Sequence, residues 1–151
     1  MLIPFKVFRG SGKETGNTLA VRGVSPQAVS LLSKSLRSGI RLIGNVSCRQ
    51  RWLPATQGEY EAYLAEFGLA FVEKTTKNGA DEYRMMVLDI FDGNHRWHAT
   101  VKLLQDGVLD LEKVCFQTNV YTEYLPDVVA ELTGRLLNEY VSFFLLFPPR
   151  G

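Results

Sequence analysis

The residues best suited to chemistry are two acids and an imidazole in the second half of the chain, Asp89, His98 and Glu112. A histidine oriented by one carboxylate and close to another can act as a general acid–base unit. In the strand register predicted below, Asp89 lies directly opposite His98, and Glu112 lies opposite Thr100. Polar groups on the solvent face of a sheet also pair without any catalytic role. These residues are therefore candidates for catalysis in a protein that we expect not to be an enzyme.

The same face of the predicted sheet carries more apolar side chains than a fully wetted surface would. Such a face needs a cover, a ligand or a second subunit. A ligand groove and a dimer interface both satisfy this requirement. The candidate ligand-binding residues on this face are Met85, Phe91, Thr100, Lys102 and Phe116.

A second candidate site is basic, because clustered lysines and arginines bind the phosphates of nucleic acids. Residues 1–52 hold nine basic groups and one acid (9 − 1 = +8), whereas residues 53–151 hold 8 basic and 15 acidic groups (8 − 15 = −7). The alternative, which we favour, is that the basic third packs against the acidic remainder or against another subunit. The candidate nucleic-acid-binding residues are Lys34, Arg37, Arg41, Arg49 and Arg51.

Metal and cofactor sites have little support in the sequence. Cys48 and Cys115 lie far apart, and His95 and His98 would point to opposite faces of a strand. The glycine-rich segment 10–13 lacks the full spacing of a phosphate-binding loop. We expect no metal and no cofactor.

The elements that must position these residues form an antiparallel β-meander, predicted from alternating apolar residues and turn residues. The turns fix the register, and that register places like faces together and puts Glu73 opposite Arg84. The four strands are predicted at about 69–76, 82–91, 95–104 and 108–116, joined by Asn78-Gly79, Gly93-Asn94 and Gln105-Asp106-Gly107.

One face of this meander is apolar and needs a cover. A helix of about 20 residues, predicted to begin after Leu125-Pro126-Asp127, has the spacing to lie across it. The fold class is therefore α+β, with the meander packed against a long C-terminal helix. The predicted inner side of that helix carries Val128, Val129, Leu132, Leu136, Tyr140 and Phe144.

The N-terminal part is predicted to add one to three strands and two shorter helices. The helices begin at Ser25-Pro26 and at the capping box that starts with Thr56. A strand at 40–52 places Cys48 and Trp52 on one face and the arginines on the other. The order of elements resembles that of helix-grip ligand-binding domains, from which the strand at 40–52 departs.

Composition indicates one domain, residues 1–151, with 46% hydrophobic and 22% charged residues. No stretch approaches the roughly 18 apolar residues of a membrane span. The first residues lack the layout of a signal peptide. We expect a cytoplasmic protein without membrane contacts.

The leading hypothesis for function is a small non-enzymatic binding or accessory protein, of the inhibitor or immunity type, that acts through protein contacts as a homodimer. One alternative is a small-molecule-binding protein or acid–base enzyme with a pocket over Asp89, His98 and Glu112. The other is a nucleic-acid-binding module that uses the basic residues of the N-terminal third. These hypotheses differ in what covers the sheet face that carries Asp89, His98 and Glu112.

Overall fold

The computed structural model describes residues 2–12, 14–19, 25–37 and 46–135. These residues form an α+β fold around a mixed sheet of six strands. The strands are β1 (Leu2–Pro4), β2 (Phe8–Arg9), β3 (Val46–Ala55), β4 (Val72–Lys77), β5 (Ala80–Asp92) and β6 (Cys115–Tyr121). The helices are α1 (Pro26–Arg37), α2 (Gln57–Phe67), α3 (Asn94–Gln105) and α4 (127–135).

The sheet is mixed and is not the predicted antiparallel meander. Its strands follow the order β1–β6–β3–β5–β2, and β4 pairs with β5 as well. The pairs β1–β6, β3–β5 and β4–β5 are antiparallel, whereas β2–β5 and β3–β6 are parallel. The long strand β5 is therefore the centre of the fold, and the sheet depends on pairings between distant parts of the chain.

The hairpin of β4 and β5 is the part of the predicted meander that the structure retains. Asn78 and Gly79 both have positive φ, 53° and 76°, as a two-residue turn of type I′ requires. Glu73 lies opposite Arg84, and their side chains form an ion pair. The turn chemistry therefore predicted both the hairpin and its register.

Residues 94–105 form helix α3, so the prediction of a third meander strand is wrong. The apolar residues of this segment fit both the two-residue period of a strand and the 3.6-residue period of a helix. The alternating residues Trp97, Ala99, Val101 and Leu103 can form one face of a strand. Ala99 and Leu103 are also one helical turn apart, and both are completely buried in the structure.

The glycines predicted to form turns after β5 and before the fourth strand lie at the two ends of α3. Gly93, with φ 99°, precedes the helix. Gly107, with φ 73°, follows it and donates its N–H to the Leu104 carbonyl at 3.2 Å. A left-handed glycine ends a helix as readily as it makes a turn. The predicted fourth strand, 108–116, is mostly loop, and β6 begins at Cys115.

The main hydrophobic core lies on one face of the sheet. Side chains from β3, β5 and β6 meet the N-terminal segment there, and α2 and α3 cover them with Tyr63, Phe67, Trp97 and Val101. The residues at its centre are Ile3, Phe5, Val7, Phe8, Val46, Cys48, Met86, Leu88, Ile90 and Phe116.

Helix α4 packs on the opposite face, so the predicted position of the closing helix is wrong. Ala130 contacts Phe91 in a second, smaller cluster. A Cβ atom added to Gly134 would lie 2.3 Å from the Phe91 carbonyl oxygen, so the helix backbone touches the sheet. Val128 and Leu132, predicted to face inward, are 72% and 55% exposed. The small residues of this helix, rather than its large apolar ones, face the sheet.

The predicted length of the closing helix is also not supported. Within the described residues the longest helices, α1 and α3, have 12 residues each. Part of the predicted inner side falls on residues outside the described ranges, namely Leu136, Tyr140 and Phe144.

The two N-terminal helices lie where the sequence predicts them. Ser25 accepts a hydrogen bond from the Ala28 amide at the start of α1. Thr56 and Glu59 form the predicted capping box at the start of α2. Strand β3 continues through Pro54 to Ala55, beyond the predicted end at residue 52. The described part of this strand begins at Val46.

Candidate functional site

The second face of the sheet, away from the main core, holds a buried ion pair between β2 and β5. Both carboxylate oxygens of Asp89 accept hydrogen bonds from Arg9, at 2.7 and 3.1 Å. The Asp89 side chain is only 3% exposed. The nearby Asn17 amide donates to the carbonyls of Arg9 and Ile90, at 3.0 Å each. A buried carboxylate requires such a partner, and this one joins the first strands to the centre of the sheet.

Arg49 is the neighbour of Asp89 across the β3–β5 pair. Its guanidinium donates to the Leu125 carbonyl at 2.8 Å and forms an ion pair with Asp127. Asp127 is the first residue of α4, where a carboxylate also interacts well with the positive end of the helix dipole. Arg49 therefore fixes the start of α4 against the sheet.

A half-open cavity of about 370 Å³ lies beside this pair, between β3 and the chain that enters α4. Its position follows from the topology, because β6 ends with Tyr121 opposite Arg49 while β3 continues to Ala55. We call it the edge cavity. Its lining residues are Arg49, Gln50, Arg51, Trp52, Glu123, Tyr124, Leu125, Pro126 and Asp127.

The catalytic candidates do not come together. Asp89 pairs with Arg9, while His98 lies on α3 and its ring packs edge-on against Trp97. Glu112 is in the loop before β6 and binds Lys6. The predicted Asp89–His98 contact is wrong because it required residue 98 to lie on a strand. The acid–base hypothesis loses the geometry on which it depended.

The five candidate ligand-binding residues are dispersed. Phe116 belongs to the main core, and Phe91 lies in the cluster on the opposite face. Thr100 is buried on α3 and donates to the Arg96 carbonyl at 2.8 Å. Lys102 is exposed on the same helix. Met85 pairs with Leu53 and Val72 in the sheet. They do not form a common lining.

The basic candidates are also separated. Lys34 and Arg37 lie on α1, which packs against α3 on the side of the main core. Arg49 and Arg51 lie on β3 beside the edge cavity. Arg41 lies outside the described residues. The described residues therefore do not present the continuous basic stripe that nucleic-acid binding was predicted to use.

Several bases of the positively charged segment 1–52 form ion pairs with acids of the negatively charged segment 53–151. Lys6 binds Glu66 and Glu112, and Arg37 binds Asp106. The pairs of Arg9 with Asp89 and of Arg49 with Asp127 follow the same pattern. Each joins a base from the first 52 residues to an acid from the remainder, as the favoured interpretation of the charge split predicts.

Two groups, the buried Cys48 thiol and the half-buried Tyr63 hydroxyl, remain neutral at physiological pH. Burial raises the pKa of the Cys48 thiol to about 12, and the charge of Asp89 adds to the effect. Burial also raises the pKa of the Tyr63 hydroxyl to about 12. That hydroxyl donates to the Met86 carbonyl at 2.9 Å and fastens α2 to β5. Both groups are parts of the core and are not poised for chemistry.

Metal binding finds no support among the described residues. They contain no cluster of three or more His, Cys, Asp or Glu side chains that could hold an ion. In the same part of the chain, every helix is too short or too polar to cross a membrane.

The edge cavity and the partner of Asp89 were not predicted from the sequence. One signal for the partner was present, because an acid inside the apolar run 87–91 demands a cation. No local sequence pattern identifies Tyr124 or Trp52 as cavity-lining residues, because the cavity forms only where β3 extends beyond the end of β6.

A comparison of this chain with protein-family models, with curated proteins and with solved structures finds no match. Its site must therefore be interpreted from its own geometry.

Proposed function

We propose that this protein is a small non-enzymatic binding protein that acts through protein contacts and self-associates as a homodimer. The observation that carries this proposal is the outer side of α4. Val128, Val129 and Leu132 are exposed there, and Tyr124, just before the helix, is 83% exposed. Grouped apolar side chains of this kind are typical of protein interfaces.

A second copy of the chain is the simplest partner for this surface. Val128 and Leu132 are one helical turn apart, so they form a stripe along the helix. Two such stripes are identical, and a twofold axis brings them into contact with each other. The pairing of Asp89 with Arg9 supports a non-enzymatic role, because this carboxylate already has a structural partner.

Sedimentation velocity over a range of protein concentrations tests the proposal. The wild type should sediment as a dimer, and Leu132→Glu should be monomeric because a charge would be buried at the contact. Leu31→Glu is the matched control, since Leu31 is 65% exposed on α1 and its replacement should leave the dimer intact. A wild type that is monomeric at every concentration, or a dimer unaffected by Leu132→Glu, would contradict the proposal.

A further inference from the structure

Strand β3 has an open edge beside the edge cavity. Its residues 50–55 pair with β5 on one side. On the other side β6 ends opposite Arg49, so within the described residues nothing pairs with this stretch. An unpaired strand edge presents a row of backbone donors and acceptors that another extended chain can use.

The turn register identifies which residues offer those groups. Lys77 and Ala80 flank the two-residue turn of the β4–β5 hairpin, so their backbone groups bond to each other. Along a strand, the N–H and C=O groups of every second residue point to the same neighbouring strand. The backbone groups of Arg84, four residues after Ala80, therefore point toward β4. Arg84 lies opposite Pro54 on β3. Because the backbone groups of Arg84 point toward β4, this pair makes no backbone hydrogen bonds between β3 and β5. This agrees with proline, which lacks an N–H and is tolerated at a sheet edge. The outward-pointing groups are therefore those of Gln50 and Trp52.

One charged side chain beside the edge cavity, that of Arg51, favours an acidic partner. Arg49 is held by Asp127 and by the Leu125 carbonyl. Arg51 is exposed and has no ion pair within the described part of the chain. Of the two acids in the lining, Asp127 is bound to Arg49, and Glu123 forms no ion pair with Arg51. Arg51 is thus the cavity cation that remains to be paired.

We propose that the open edge of β3 binds an extended peptide that adds a strand beside Gln50 and Trp52 and places a carboxylate opposite Arg51. Because side chains alternate between faces, the peptide residues next to the carboxylate turn to the face of Trp52. Trp52 is half-buried and has the Arg84 guanidinium over its ring at 5.4 Å. An alternating acidic and apolar sequence therefore fits the edge. This inference rests on the proposed function, since it names the chemistry of a protein partner.

Fluorescence anisotropy with labelled peptides and the full chain tests the inference. The probe is a blocked hexapeptide of alternating valine and glutamate, and its comparison peptide alternates valine and lysine. The glutamate peptide should bind about tenfold more tightly than the lysine peptide. Arg51→Glu should reverse this preference. Lys77→Glu is the matched control, because it makes the same charge change at an exposed position on β4 and should alter nothing.

A peptide with N-methylated backbone amides separates strand addition from attraction between charges alone. Methylation removes the donors but keeps the carboxylates, so it should weaken binding about tenfold. The inference is overturned if the methylated peptide binds equally well or if Arg51→Glu keeps the original preference. It is also overturned if a single-stranded oligonucleotide binds through Arg51 more tightly than the peptide.

This outcome is distinguishable from that of the proposed function. A dimer sensitive to Leu132→Glu that ignores the glutamate peptide leaves the proposed function intact and rejects the peptide site. A monomer that binds the peptide through Arg51 rejects self-association and supports the peptide site.

Discussion

Asp89 is as deeply buried as the apolar residues on either side of it on β5. Leu88 and Ile90 are completely buried, and Asp89 is 2% exposed. The desolvation of this carboxylate is offset by two charged hydrogen bonds from Arg9, 80 residues earlier in the chain. At the scale of single residues, the fold is specified by such buried polar groups as well as by apolar packing.

Replacement of Asp89 by asparagine should destabilise the protein by roughly 3 kcal/mol, because Arg9 would keep its charge and lose its carboxylate. Urea unfolding measures the change. The matched control is Glu73→Gln, which breaks the exposed pair with Arg84 and should cost less than about 1 kcal/mol. Equal decreases in the free energy of unfolding of the two variants would show that the buried pair stabilises the fold no more than the exposed one.

The two cysteines should differ sharply in reactivity. Cys48 is buried, and its pKa is raised to about 12, so almost no thiolate forms at pH values near 8. Cys115 is exposed. A thiol reagent such as Ellman's reagent should therefore modify one cysteine in the native protein and both in denaturant. The variant Cys115→Ser should be nearly unreactive until it unfolds, and rapid native modification of this variant would contradict the burial of Cys48.

At the scale of elements, helix α4 shows how a close approach can outweigh helix propensity. Gly134 lies in this helix although glycine is less favourable than alanine there by about 1 kcal/mol. The reason is the contact with β5, where the Phe91 carbonyl oxygen occupies the space that a Cβ would need. The outer side of α4 is left apolar because its small residues face inward.

Gly134→Ala should consequently destabilise the protein by about 1–3 kcal/mol through overpacking, in spite of the better propensity of alanine. Gly58→Ala is the matched control, because Gly58 lies in α2 and a Cβ there meets no atom within 4 Å. That control should be neutral or slightly stabilising. Thermal unfolding of both variants decides the matter, and a stabilised Gly134→Ala would mean that α4 does not touch β5.

At the scale of the whole molecule, the first and last strands of the described chain pair with each other. Residues 2–4 pair with 115–117, and β2 pairs with β5 in parallel. The main core draws Phe5 from the first segment and Phe116 from β6, and these rings contact each other edge-on. Long-range pairings of this kind are formed late and together, because each closes a large loop.

A fragment that ends at Gln105 should therefore remain unfolded, since it lacks β6 and leaves both β1 and one edge of β3 without partners. The full chain should unfold cooperatively under the same conditions. Circular dichroism and urea titration compare the two. A cooperative transition in the fragment would show that the β3–β5 and β4–β5 pairs suffice for folding.

Features controlled by a few neighbouring residues were predictable from the sequence. The start of α1, the capping box of α2 and the hairpin at Asn78-Gly79 each depend on contacts between residues only a few positions apart. The alternation of Arg49 and Arg51 against Cys48 and Trp52 on β3 was predictable for the same reason. These elements place the arginines that line the edge cavity.

Tertiary structure alone decided the remainder. Segment 94–105 carries both a strand period and a helix period, and its packing against the main core selects the helix. The partner of Asp89, the parallel pairings and the face covered by α4 all join residues far apart in the chain. No local pattern encodes such contacts, because their free energy exists only once the distant segments have met. The edge cavity has the same origin, since it lies where β3 extends beyond β6.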